Sequence, residues 1–178
     1  NTNDNEFRDL FVGLDFAAPL LGGGERTYVN LDNAATTPAF RAVAERVMRS
    51  QRWYASIHRG TGVKSLISTR AFDLARRRVA GFFGADLEDR TLVFCANATD
   101  AINRLCGRFH FGPDDVVLTS VLEHHSNLLP WRFRGNVQHI QARWPCGVLD
   151  LDDLEEKLRA SAGAVKLVAL TGASNITG

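Results

Sequence analysis

The residues best suited to chemistry fall in three short polar segments: Ala96-Asn97-Ala98-Thr99-Asp100, Val121-Leu122-Glu123-His124-His125-Ser126-Asn127 and Gly172-Ala173-Ser174-Asn175-Ile176-Thr177-Gly178. The first is expected to open a helix with small and hydroxyl-bearing residues. That leaves the N–H groups of Ala98 and Thr99 pointing outward beside the Thr99 hydroxyl, an arrangement that receives an anion. The same residues also read as an ordinary N-cap at Asn97, and Asp100 opposes a bare phosphate unless its carboxylate turns away. In the second segment, adjacent imidazoles beside Glu123 suit stacking on a flat ring, metal binding or proton exchange, with a purely structural role as the alternative. A zinc site built from Cys106, His110 and His124 or His125 would require a fold that spacing alone does not supply. In the third, the Asn175 side-chain amide donates to an oxygen from a loop of small residues, although by itself the segment is a turn.

Elements able to position these segments are visible in the periodicity. Short apolar runs rich in β-branched residues, Thr91 to Cys95, Asp115 to Ser120, Asn136 to Ile140 and Val165 to Thr171, alternate with helical stretches at Ala98 to Arg108, Asn127 to Arg134 and Leu151 to Ala160. Such alternation predicts an α/β fold with a parallel, doubly wound sheet of four or five strands. Val165 to Leu170 is apolar enough to be a central strand, covered on both faces. Ligands of such sheets sit beyond the carboxyl ends of the strands, where all three polar segments fall, so the sequence describes a crevice for a planar, phosphorylated ligand.

Upstream, Thr36-Thr37-Pro38 predicts a helix start, continuing to about residue 50 with Phe40, Val43, Ala44, Val47 and Met48 on one face. A second helix is expected from Ser65 to Phe83, stopped by Gly84. Its Arg76-Arg77-Arg78 run reads as a solvated face. Residues 1–27, with the apolar run Leu10 to Phe16 and Gly22-Gly23-Gly24, read as an arm or short helix leading through a flexible joint into a main body at 28–178.

Composition bounds the partners. The chain has 178 residues, 45% of them apolar and 23% charged, the makeup of a soluble globular domain. Lys and Arg number 21 against 20 Asp and Glu, and a net charge of +1 gives no electrostatic reason to expect nucleic acid or an anionic membrane. Cys95, Cys106 and Cys146 are too widely and irregularly spaced for a disulfide framework, which favours a reducing compartment. Cys95 and Cys106 read as small core residues, and Cys146 sits in the Trp144-Pro145-Cys146-Gly147 turn. Without a leader pattern or a membrane-length apolar run, a cytoplasmic location is expected.

Five segments carry a resemblance: Tyr28-Val29-Asn30-Leu31-Asp32-Asn33-Ala34-Ala35-Thr36-Thr37, Ser56-Ile57-His58-Arg59-Gly60, Ala98-Thr99-Asp100-Ala101-Ile102-Asn103, Glu123-His124-His125-Ser126-Asn127-Leu128-Leu129-Pro130-Trp131 and Ser174-Asn175-Ile176-Thr177-Gly178. In this order the chain resembles the class V aminotransferase family over about residues 28–178, closest to its cysteine desulfurase and selenocysteine lyase branch. The resemblance implies part of the large domain of a fold-type I enzyme that uses pyridoxal 5'-phosphate, assembled as a homodimer, acting on a small amino-acid substrate and passing sulfur to an acceptor protein.

By the same resemblance, Ala98 and Thr99 hold the cofactor phosphate, His124 stacks on the pyridine ring and assists proton transfer, with His125 as the second choice, and Asn175 lies near the cofactor's phenolic oxygen and the substrate carboxylate. Ala34, Ala35 and His58 line the substrate side. Asn97 stands where the family's phosphate loop often carries Gly, and Ala98-Thr99 where many relatives carry two Thr. The family's lysine that holds the cofactor, the aspartate facing the pyridine nitrogen, the nucleophilic loop cysteine and a substrate-binding arginine are expected beyond Gly178. Lys64, Lys157 and Lys166 do not match that lysine's position. The sequence is therefore expected to be an N-terminal portion, inactive alone. The alternatives are another activity of the family, kynureninase-like or epimerase, and a short non-catalytic protein that uses this half-fold to bind a partner.

Overall fold

The computed structural model describes residues 7–178, which form two compact units, one ending at Val93 and the other starting at Phe94. In the first unit, β1 (Ala17–Pro19) and β2 (Glu25–Thr27) pair antiparallel. The Gly22-Gly23-Gly24 run, expected to be a flexible joint, instead closes this hairpin: Gly23 and Gly24 adopt φ of +88° and +82°, and Leu20 N–H donates to the Gly24 carbonyl at 3.0 Å.

Helix α1 spans Arg41–Ser50, beginning later than Thr36-Thr37-Pro38 suggested. The competing interaction is a bridge between Phe11 and Phe40, with Val12 N–H donating to Ala39 and Arg41 N–H to Leu10. This draws residues 38–40 into extended backbone, while the Thr37 hydroxyl donates to the Asn33 carbonyl at 2.8 Å. Helix α2 (Val63–Phe82) lies where the apolar spacing placed it. Gly84, at φ +62°, follows its end, and Ala85 N–H returns to the Ala80 carbonyl at 2.9 Å.

The second unit contains α3 (Ala98–Cys106), β3 (Val116–Ser120), α4 (His125–Arg132), β4 (Asn136–Ile140), the short antiparallel pair β5 (Ala142–Arg143) and β6 (Val148–Leu149), α5 (Leu151–Ala160) and β7 (Val165–Ala169). Strands β4, β3 and β7 form a parallel sheet in that order, with Val117 opposite Val137 on one side and Leu167 on the other. Every residue of β3 is buried. On one face Val117 packs with Cys106, Trp131 and Ala169; on the other Val116, Leu118 and Ile140 meet Leu149 and Leu154. Helices therefore cover both faces, as a doubly wound sheet requires.

Three expectations are corrected. The described sheet has three strands rather than four or five, and Val165 to Leu170 supplies an edge strand rather than a central one, the centre being β3. β7 lies at the edge with alternating exposure, and its Lys166 faces out, 3.8 Å from Asp115. Thr91 to Cys95 forms no strand. β-Propensity yields a strand only where a ladder partner exists, and here Val93 remains 67% exposed and the Leu92 carbonyl accepts from Arg76 Nε instead. No helix among the described residues is long and apolar enough to cross a membrane.

One buried atom in β3 is unsatisfied. Thr119 is fully buried and its hydroxyl has no hydrogen-bond partner. Burying an unpaired hydroxyl costs about 1–3 kcal/mol, so Thr119→Val, which keeps the shape, is expected to raise stability by about 1 kcal/mol. A urea midpoint that falls instead would mean that the hydroxyl is bonded.

Candidate functional site

The start of α3 is built by Asn97, whose extended backbone stops the helix and whose side-chain oxygen accepts from Asp100 N–H at 2.9 Å. Asp100 folds back: its carboxylate accepts from Ala96 N–H at 3.2 Å and from Arg104 Nε at 2.8 Å. The Ala96 N–H and the Arg104 guanidinium hold the Asp100 carboxyl below the usual aspartate value. The objection that Asp100 would repel an anion is thereby weakened, because its charge is paired and directed along the helix. Among the described residues no acceptor meets the N–H groups of Ala98 and Thr99 or the Thr99 hydroxyl. Asn97 is thus an ordinary cap, and the turn it caps retains two free donors and a hydroxyl at the positive end of the helix.

Helix α4 starts from His124, which is itself the cap. Ser126 N–H donates to His124 Nδ1 at 3.2 Å, and the Ser126 hydroxyl lies 2.7 Å from the same nitrogen. A peptide N–H only donates, so Nδ1 is the acceptor and neutral His124 carries its proton on Nε2. No comparable bond anchors the His125 side chain among the described residues. The two rings lie 6.3 Å apart at 44°, too far from parallel for both to stack on one planar ligand.

Thr99, His124 and His125 line one open cavity of about 410 Å³, together with Asn103, Leu129 and Phe133. The structure therefore brings the first two polar segments together. Asn175 is not part of that lining. It sits in a turn in which the Ser174 hydroxyl accepts from the N–H groups of Ile176 and Thr177. Its loop is nonetheless fastened to the end of β3, because Glu123 Oε1 accepts from Thr171 N–H at 2.7 Å and from the Ser120 hydroxyl at 2.6 Å.

Sequence reasoning gave Glu123 no role of its own. The available signal was an acidic side chain placed at a strand end directly before the histidine pair.

Ala34, Ala35 and His58 belong to the first unit. Ala34 and Ala35 lie in a turn organised by Asn30, which donates to Asn33 and to the Thr36 carbonyl, and by Asp32, which accepts from Ala35 N–H at 3.2 Å. His58 has φ of +58°, a left-handed conformation costing on the order of 1–3 kcal/mol in a residue other than glycine. It is held there by bonds to α2: His58 N–H donates to the Thr69 hydroxyl at 2.9 Å, and Nε2 lies 3.0 Å from Asp73 Oδ1. Gly60 permits this approach, since a Cβ there would meet Ser65 Oγ at 2.9 Å.

Of the cysteines, Cys106 is a buried core residue whose thiol donates to the Pro130 carbonyl, and burial pushes that thiol up. Cys95 is half-buried and lies outside any strand, while Cys146 is exposed in its turn. No three His, Cys, Asp or Glu side chains gather as a metal site among the described residues.

The second unit is thus a parallel α/β sheet with a helix terminus that keeps free N–H donors and an anchored imidazole at one cavity beyond its strand ends. Residues 29–178 match the family model described as aminotransferase class-V, and the chain belongs to that family. It is 33% identical over 156 residues to a cysteine desulfurase of Serratia proteamaculans, covering 83% of this chain and 37% of that protein. It is 34% identical over 158 residues to a probable cysteine desulfurase of Methanothermobacter thermautotrophicus, covering 86% and 38%. Among solved structures, the apo cysteine desulfurase of Thermococcus onnurineus superposes with a TM-score of 0.68 at 32% identity, covering 81% of this chain and 36% of that one. The chain therefore spans between a third and two fifths of the length of these relatives.

Proposed function

We propose that this chain supplies the phosphate cradle and the ring platform of a pyridoxal 5'-phosphate enzyme that removes sulfur from cysteine. The observation that carries this reading is the pairing in one cavity of an uncommitted helix terminus at Thr99 with an imidazole fixed at His124. The donor set suits the cofactor: two N–H groups and a hydroxyl for a dianionic phosphate, and an aromatic face for the pyridine ring. When bound, pyridoxal phosphate supplies a ring that spreads carbanion charge from the substrate.

The cavity shared by Thr99 and His124 supports the first two of the following roles, and the family resemblance supports the others. Ala98 and Thr99 bind the phosphate. His124 is the platform in preference to His125, because its ring is held, and it presents a proton on Nε2. Asn175 donates its amide to oxygen, and Ala34, Ala35 and His58 serve the substrate side. Residues 1–27 act as an arm and 28–178 as part of the large domain. We further infer a cytoplasmic homodimer that passes sulfur to an acceptor protein, with selenocysteine as a related substrate. No lysine here matches the one that holds the cofactor, so turnover by these 178 residues alone is not expected.

The test is to express the reading frame that encodes these residues, load it with pyridoxal phosphate, and, with an added thiol that reduces the sulfur or selenium removed, follow sulfide and alanine from cysteine beside selenide from selenocysteine. Sulfide release that is lost in His124→Ala supports the reading. A loaded protein that releases no sulfide, while splitting or epimerising another amino acid, would move it to another activity of the family.

A further inference from the structure

The Glu123 carboxylate collects three hydrogen bonds, two on Oε1 from the Ser120 hydroxyl and Thr171 N–H and one on Oε2 from Asn127 Nδ2 at 2.7 Å. The chain of bonds continues, since Trp131 Nε1 donates to Asn127 Oδ1 at 3.2 Å. These contacts join the end of β3, the first turn of α4 and the loop after β7, whose residues carry His124 and Asn175.

The direction of the bonds that start from Trp131 and Thr171 is dictated at those ends. Indole and peptide N–H groups donate and never accept. Trp131 therefore requires the oxygen of the Asn127 amide, which turns the Asn127 NH2 toward Glu123. Thr171 N–H requires an oxygen on the other arm of Glu123. A carboxylate satisfies both, because each of its oxygens accepts. A Gln side chain would set its own NH2 against that of Asn127, or against Thr171 N–H.

We propose that Glu123 is a positioning residue of the site, an acceptor-only clamp that fixes the Asn175 loop to the His124 loop. Its consequence for ligand binding rests on the function proposed above; the clamp itself is a property of the free chain.

Four chains test this: wild type, Glu123→Gln, Asn127→Asp and the double variant. Asn127→Asp alone sets two carboxylates against each other. The double variant moves the acceptor-only group by one link: Gln oxygen serves Ser120 and Thr171, Gln NH2 donates to one oxygen of the new carboxylate, and Trp131 donates to the other. Deuterium exchange at the Thr171 amide, measured without ligand, is expected to quicken by about tenfold or more in each single variant. In the double variant it should return to within about threefold of wild type, a coupling that independent structural damage would not produce. Affinity for pyridoxal phosphate is expected to follow the same order. Unchanged Thr171 exchange in Glu123→Gln, or a double variant no slower than the worse single, would overturn the clamp. If a single variant fails to fold, a folded double with slow exchange supports the clamp and an unfolded double overturns it. Failure of the wild type to bind pyridoxal phosphate, with the exchange pattern as expected, counts against the proposed function alone.

Discussion

Replacing Trp131 by Ala is expected to cost the second unit about 3–5 kcal/mol, the range for deleting a buried Trp or Phe side chain. Trp131 is 2% exposed, packs against Cys106, Val117 and Ala169, and meets the Phe109 ring edge-on at a centroid distance of 6.0 Å. It therefore packs α4 against the end of α3 and one face of the sheet; α3 carries Thr99, and His124 caps α4. The substitution also strands Asn127 Oδ1, which loses its indole donor. Set against the 5–15 kcal/mol that typically separates folded from unfolded domains, this is a large fraction of the whole. Urea unfolding followed by circular dichroism is the check, with Trp131→Phe retaining most of the stability. A loss below about 1 kcal/mol would mean that the helices are held elsewhere.

Thr99→Glu is expected to separate stability from binding. A carboxylate in the first turn of α3 interacts favourably with the helix dipole, by about 0.3–1 kcal/mol, so the fold should be unharmed or slightly firmer. The same charge occupies the place proposed for the cofactor phosphate. At an effective dielectric of about 20, two charges about 4 Å apart repel by about 4 kcal/mol, and a loss of pyridoxal phosphate affinity on the order of a thousandfold is expected. Equilibrium dialysis and thermal melts on the same preparation read the two quantities. Reduced affinity together with reduced stability would point to damage instead of repulsion; unchanged affinity would place the phosphate elsewhere.

Much of the second unit was legible because its elements are decided locally. Asn136 to Ile140 and Leu151 to Ala160 lie where periodicity put them, and Val116–Ser120 and Ala98–Cys106 shift only at their ends. Features that depend on distant partners were not legible. Thr91 to Cys95 has the composition of a strand and no ladder to join, and Val165 to Ala169 is apolar like a central strand yet sits at an edge. The start of α1 was displaced by a bridge between Phe11 and Phe40, 29 residues apart in sequence (40 − 11), which no local window contains.

The site shows the same division. Asn97 and the helix start behind it follow from residue type, and so does the availability of Ala98 and Thr99. That Asp100 would pair with Arg104 was open to the sequence, as an i,i+4 pair on one helix face. That Glu123 would reach Thr171, 48 residues on, was not. Its type and position read the same whether the carboxylate points into solvent or fastens two loops.

The central claim is that the Ala98 and Thr99 amides receive the phosphate of pyridoxal phosphate. It is tested most directly by titrating the 15N-labelled chain with pyridoxal phosphate and, separately, with pyridoxal. The account predicts that the Ala98 and Thr99 amide resonances move with pyridoxal phosphate, stay in place with pyridoxal, and no longer respond to either in Thr99→Glu. Amides that stay in place while the cofactor binds, or that move equally with pyridoxal, would contradict it.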